Sequence, residues 1–315
     1  DAITNLQRTS DITLIITVDC GITAIDETNY ALQRGIDMVI TDHHECSGQA
    51  IPNAVAVVDP KRPGSQYPNS GLAGVGVAYK LLCALEDGSD RVLREYGDLV
   101  AIGTVADVMP LTGENRYLVA QGLAQINARP RPGIRALLHE CGAEGRPVTA
   151  TTIGFTLAPR INAAGRVGDA NVALQLLESE HIVDAYKCAS QLESFNRIRQ
   201  EKEQEIYQEA CEQIERNLAW QSDYSLLVAG RDWHQGVIGI VASRLARDYN
   251  RPTIVLTIQG DVAYGSGRSV ACLNLVEVLS HTADLLDRYG GHPMAVGIGL
   301  KADRIADFFD AMDRE

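Results

Sequence analysis

The sequence predicts an α/β fold: a parallel-sheet domain joined by a long helix to a smaller α/β domain. Three patterns predict it. Apolar runs rich in β-branched residues, Leu14–Val18 and Met38–Ile40, are bounded by Gly and Asp, as central strands of a parallel sheet are. Helix-like stretches alternate with such runs up to about residue 178. Across 181–218, apolar residues recur at three- and four-residue steps without a Gly or Pro, the pattern of one long amphipathic helix.

A chain of 315 residues is long for a single core and suggests two domains. The partition expected is 1–180, a connecting helix over 181–219, and 220–315. Aromatic residues make up only 5%, while Ala, Gly and Leu are abundant, which fits a helix-rich α/β protein better than a β-sandwich. The net charge of −13 argues against a broadly basic DNA coat but leaves room for a local cationic groove. No apolar stretch is long enough to span a bilayer, and the N-terminus lacks a basic region followed by an apolar one, so a cytoplasmic location is expected. The seven cysteines form no Cys-x-x-Cys pair, which indicates neither a disulfide framework nor a structural zinc site. Cys20 and Cys46 fall near the candidate site but read as bystanders.

The first domain should hold strands over 12–18, 37–41 and 54–58, then a turn-rich loop over 61–70. The run Gly71-Leu72-Ala73-Gly74-Val75-Gly76 leads into an apolar helix over 75–86. It reads as close packing against the sheet rather than as a phosphate cradle, because the Lys-Ser/Thr of a Walker loop is missing. The long helix bridges the domains; a coiled-coil dimerisation helix is the alternative, though its heptads are irregular. The second domain should hold a strand over 225–229, a helix over 237–249, a strand over 253–257 and a helix over 276–289.

In open α/β sheets, ligands sit beyond the carboxyl ends of the strands. The first strand runs into Asp19-Cys20-Gly21 and the second into Asp42-His43-His44, so these acids and imidazoles should share one crevice. Such a donor set suits Mn²⁺ or Mg²⁺ with partial nitrogen ligation and points to metal-dependent phosphoester chemistry. Asp107, a lone carboxylate near the end of an apolar helix pattern, is the third anchor; capping the turn before Pro110 is its structural alternative.

Val18-Asp19-Cys20-Gly21, Asp42-His43-His44 and Gly103-Thr104-Val105-Ala106-Asp107 together resemble three of four motifs of the DHH phosphoesterase superfamily. Within it the chain most resembles the RecJ-type single-strand-specific exonucleases. Pro159 to Arg166, Trp233 to Arg244, Gly265 to Ser269 and Gly290-Gly291-His292 carry that narrower likeness.

The resemblance implies a DHH catalytic domain followed by a DHHA1 substrate-binding domain, and two Mn²⁺ or Mg²⁺ ions. Asp19 would bridge the metals, and His43 and Asp107 would complete one shell. His44 would lie by the scissile phosphate, with Asp42 orienting a histidine through its ring N–H. Arg160, Asn162, Arg166, Ser266, Arg268, Ser269, Gly290, Gly291 and His292 would contact substrate, the 265–269 segment as a clamp of exposed backbone N–H groups and a guanidinium. Trp233 would stack on a base or plug the space between domains. The implied activity is 5′-to-3′ hydrolysis of single-stranded DNA in repair and recombination, with a single-strand-binding protein and a helicase as partners and no membrane.

The family's first motif, an Asp-x-Asp on an opening strand, is not found before Asp19, nor is the oligonucleotide-binding barrel seen after the second domain. A truncated form with little activity is therefore expected. The alternatives are a DHH/DHHA1 phosphoesterase of short oligonucleotides or small phosphorylated nucleotides, and a non-catalytic nucleic-acid-binding module.

Overall fold

The computed structural model describes residues 2–46, 50–216 and 224–314. The end of the expected long helix (217–218), the expected linker limit (219) and the expected start of the second domain (220) lie outside them. The chain forms two compact units, Asp1–Ile161 with Ala173–Ser190, and Asn162–Val172 with Gln191–Glu315.

In the first unit, β1 (Leu14–Val18), β2 (Asp37–Thr41) and β3 (Ala56–Val58) form a parallel sheet in the order β1-β2-β3. Val18 pairs with Thr41, and Thr41 pairs with Val58, so all three strands end level. The level ends put the residues that follow each strand along one rim. β2 is the central strand. β1 departs from the expectation of burial on both sides: among the described residues it is an edge strand, and Leu14, Ile16 and Val18 are about half exposed. The third strand is shorter than the 54–58 expected.

Helix α1 (Gly74–Leu85) follows the loop, then α2 (Ser89–Ala106) and α3 (Gly113–Ala128). Tyr79, Val92, Leu93, Val100 and Leu118 bury a cluster between these helices. Asp98 on α2 is held by Arg131 through two charge-assisted bonds of 2.6 Å each, a fork geometry that fixes the next helix against α2. The Pro159–Arg166 segment lies within α4 (Ala158–Val167). Its alanines supply high helix propensity, and Ala163 and Ala164 are fully buried.

The long helix is present as α5 (Ile182–Arg216), one continuous run whose first turns belong to the first unit and the remainder to the second. Among the described residues no helix is long and apolar enough to cross a membrane.

The second unit carries β4 (Leu226–Arg231), α6 (Gln235–Tyr249), β5 (Thr253–Gln259), β6 (Val262–Arg268), α7 (Leu275–His281), β7 (Arg288–His292) and β8 (Ala295–Lys301). Its sheet runs β4-β5-β6-β8-β7, with β4 and β5 parallel and the other pairs antiparallel. Two expectations are corrected here. The helix expected over 276–289 stops at His281; Thr282 is buried with its hydroxyl donating back to the Leu279 carbonyl, and the Gly290-Gly291 pair, poor in helix, extends into β7. The Gly265–Ser269 segment is not a loop of free N–H groups: Gly265 to Arg268 belong to β6 and are paired on both sides, with β5 and with β8.

Candidate metal centre

The residues just past β1 and β2 meet. Asp19 follows Val18 with a positive φ of 62°, a conformation uncommon for a non-glycine residue and typical of functional turns. The Thr17 hydroxyl donates to the Cys20 carbonyl at 2.7 Å and braces that turn. Asp42, only 1% exposed, acts as its clasp. Its Oδ2 accepts the Ile22 amide at 2.9 Å, and its Oδ1 accepts the His43 amide at 2.7 Å, the His44 amide at 3.2 Å and the His44 Nδ1 proton at 2.7 Å. Burial alone pushes the Asp42 carboxyl upward, but these four bonds outweigh it and hold the group below the usual range.

His43 is buried, and its Nε2 lies 3.1 Å from Asp19 Oδ1 and 3.5 Å from Asp107 Oδ2. Asp107 caps the C-terminal end of α2, where the helix dipole disfavours negative charge. Burial raises its carboxyl, and the nearby Asp19 raises it further. His43 is in turn raised, chiefly by its bond to Asp19 and with help from Asp107, against the opposing effect of burial. Two carboxylates thus converge on one imidazole nitrogen and hold a proton there. A divalent cation answers the same need with more charge.

Ligand atoms of Asp19, His43 and His44 lie within 4.8 Å of one another. The oxygen-rich donors with partial nitrogen ligation fit Mn²⁺ or Mg²⁺ chemistry. The sequence-predicted set Asp19, His43 and Asp107 is therefore gathered, and His44 joins it more closely than expected. Both nearby thiols, Cys20 and Cys46, are raised by burial first and then by surrounding carboxylates, which makes them poor thiolate donors.

In the second unit, Ser266 and Arg268 on β6 come together with Arg166 near the end of α4. Arg268 Nη1 donates to Ser266 Oγ at 2.9 Å and to the Gly267 carbonyl at 2.7 Å. Arg166 Nη1 donates to the Gly236 carbonyl at 3.1 Å. Both guanidinium groups are lowered, first by desolvation and then by a neighbouring arginine, Arg199 for Arg166 and Arg166 for Arg268. Clustered cations of this kind suit a polyanion. Gly239 on α6 makes the approach possible, since a Cβ there would stand 2.9 Å from Ser266 Oγ and 3.2 Å from Arg268 Nη2.

Other expected contacts are not part of that cluster. Ser269 is buried, and its hydroxyl donates to the Leu273 carbonyl at 2.8 Å, a structural bond. Gly290, Gly291 and His292 are exposed on β7, separated from β6 by β8. Arg160 falls in the first unit and bonds the Thr156 carbonyl of its own helical turn, while Asn162 is exposed. Trp233 is neither a base platform nor an inter-domain plug: it is 5% exposed inside the second unit's own core, and its Nε1 donates to Glu209 at 2.7 Å.

Comparison with known proteins follows the same lines. Residues 2–104 match the DHH family, N-terminal domain, and residues 223–315 match the DHHA1 domain. The single-stranded-DNA-specific exonuclease RecJ of Bacillus subtilis is 43% identical, over 93% of this chain and 37% of that protein. The crystal structure of RecJ from Thermus thermophilus in complex with Mn²⁺ superposes with a TM-score of 0.84 at 36% identity, covering 99% of this chain and 46% of that one. A structure of exonuclease RecJ bound to manganese matches with a TM-score of 0.80 at 35% identity, over 99% of this chain and 77% of that one. The chain belongs to the RecJ family of DHH phosphoesterases. It spans 37% to 54% of the length of the curated RecJ relatives it matches first.

Two residues of this RecJ-family site escape sequence reasoning. Gly74, the first residue of α1, sits so close to Asp19 that a Cβ would run into its carboxylate. The glycine run is thus more than a packing surface for the sheet. Asp59 follows β3 as Asp19 follows β1 and Asp42 follows β2, and it is 3% exposed. A third strand ending in Asp was the available signal.

Proposed function

We propose that this chain is the core of a divalent-metal-dependent exonuclease that removes nucleotides from single-stranded DNA. The convergence of Asp19 and Asp107 on His43 Nε2 at level strand ends carries the reading, and the RecJ relatives support it. The functional division proposed is catalytic over 1–180, connecting over 181–219 and substrate-binding over 220–315.

Asp19, His43 and Asp107 would hold Mn²⁺ or Mg²⁺, which when bound supplies a polarised water and charge stabilisation at the transferring phosphorus. The chain's own part is positioning and proton handling. Ionised Asp42 can only accept, so the proton facing it is on His44 Nδ1 and the ring is locked in orientation. His44 Nε2 is then the free nitrogen: an acceptor in the neutral ring and a donor to a phosphate or leaving oxygen when protonated. Arg166, Arg268 and Ser266 offer guanidinium and hydroxyl donors to the phosphates of the strand. The family likeness further supports 5′-to-3′ polarity, a place in DNA repair and recombination in the cytoplasm, and single-strand-binding protein and a helicase as partners.

The test is hydrolysis of 5′-phosphorylated single-stranded DNA of graded length. The expected result is slow mononucleotide release that requires Mn²⁺, stops with EDTA, fails in Asp107→Asn and favours longer strands. The net charge of −13 favours a second reading, a phosphoesterase of short oligonucleotides. Preference for dinucleotides over long strands would replace the first reading with that one.

A further inference from the structure

Among the described residues, two buried side-chain polar atoms have no hydrogen-bond partner: His43 Nδ1 and Asp59 Oδ2. Their residues are 6% and 3% exposed, so bulk water does not supply the missing bonds. The two are chemically complementary. When Nε2 of His43 binds a cation, or when the ring carries both its protons, Nδ1 carries a hydrogen and acts as a donor. An Asp59 oxygen is an acceptor.

Topology brings them together. Thr41 pairs with Val58, and the Asp42 amide donates to the Val58 carbonyl at 3.0 Å, so His43 and Asp59 leave adjacent parallel strands at the same rim. The charge on His43 acts on Asp59, lowering a carboxyl that burial raises. Loop capping does not account for the arrangement. Asp59 Oδ1 already accepts the Lys61 amide at 2.7 Å, and a cap alone would leave the second oxygen in solvent.

We propose that Asp59 is a positioning residue for the metal centre: its Oδ2 receives the Nδ1 proton of His43 through one ordered water, and so keeps Nε2 aimed between Asp19 and Asp107. The inference rests on the metal-site reading above. Asp59 touches neither metal nor substrate; it fixes the tautomer and rotation of a residue that does.

Selective ¹⁵N-histidine labelling tests this directly. In the metal-free chain, at a pH where the ring is doubly protonated, the His43 Nδ1 proton should exchange slowly with solvent. Asp59→Ala should let that proton exchange freely, whereas Asp59→Asn, which keeps an oxygen acceptor, should retain the slow exchange. Mn²⁺ titration followed by electron paramagnetic resonance should show affinity weakened roughly 10- to 100-fold in Asp59→Ala and largely restored in Asp59→Asn. Free solvent exchange of the His43 Nδ1 proton in the unsubstituted chain would overturn the proposal. So would wild-type Mn²⁺ affinity in Asp59→Ala, or an Asp59→Asn affinity as poor as that of the alanine variant. If Asp59→Ala does not fold, the exchange measurement and Asp59→Asn decide. If the unsubstituted chain binds no Mn²⁺, the metal reading fails and the exchange result alone judges Asp59.

Discussion

Asp42 Oδ2 accepts the Ile22 amide proton at 2.9 Å, tying the rim of β2 to the loop that carries Asp19. The carboxylate is almost wholly buried, so Asp42→Ala leaves that amide without a partner away from water, at a cost of roughly 1–3 kcal/mol, readable as a lower urea midpoint. The acid limb adds a second signature. A carboxyl held below its unfolded value of 3.8 contributes stability above that value and loses it as pH falls through the folded one. Asp42→Ala should therefore lose less stability than the parent between about pH 4 and pH 2. An equal acid loss in both proteins would remove Asp42 as its source.

His43 predicts the opposite sign. Its folded pKa is raised from 6.5, so its pairing with Asp19 and Asp107 stabilises the metal-free chain fully below that value, and the contribution is lost as pH rises through the folded value. Metal needs the same Nε2 lone pair, so binding must displace the proton. The rise in melting temperature given by a fixed Mn²⁺ concentration should thus grow as pH rises above 6.5. A shift that stays constant across that range would mean that His43 is not a ligand.

Much of this site was legible because strand-end chemistry is local. A β-branched run ending in Asp or His marks a rim position whatever the tertiary details, so Asp19, Asp42 and His43 could be read from short windows. Asp107 was legible as a costly acid at the end of an apolar helix. The clamp at Gly265–Ser269 was misread because glycine and serine signal turns locally, whereas pairing with β5 and β8 is a long-range property. Arg288 and Tyr289 were lost to a helical pattern for the same reason: only their register with β8 makes them strand. Trp233 shows the limit for single residues, since a tryptophan beside His and Gln reads equally as a stacking surface or as core.

Gly74 links site chemistry to the turn that carries Asp19. Alanine near a helix start is favoured over glycine by up to about 1 kcal/mol, but a Cβ at Gly74 would stand 2.6 Å from the Asp19 Cβ, so Gly74→Ala should lower the unfolding transition modestly. Its Cβ, however, would occupy the space of the Asp19 carboxylate and turn that ligand away. The expected result is a folded protein whose Mn²⁺ affinity falls about tenfold or more. Calorimetric titration with parallel circular dichroism checks both halves, and unchanged affinity would show that Asp19 has room to move aside.

Arg268 tests the second unit in isolation from the metal. Its guanidinium group is crowded by Arg166, and an anion would relieve that repulsion, so phosphate binding gains from both charges at once. Removing one phosphate contact should weaken single-stranded DNA binding across sequences and reduce the salt dependence of log K by about 0.7 for a single strand. Binding measured in Ca²⁺ or EDTA, where hydrolysis is suppressed, gives the slope directly. Arg268→Ala should lose affinity and slope together. Arg268→Lys should recover the slope, because the charge returns, while affinity stays below wild type, because an ammonium lacks the planar fork that also bonds Ser266 Oγ. If the alanine variant kept the full slope, Arg268 would be a structural partner of Ser266, and the phosphate track would have to run elsewhere.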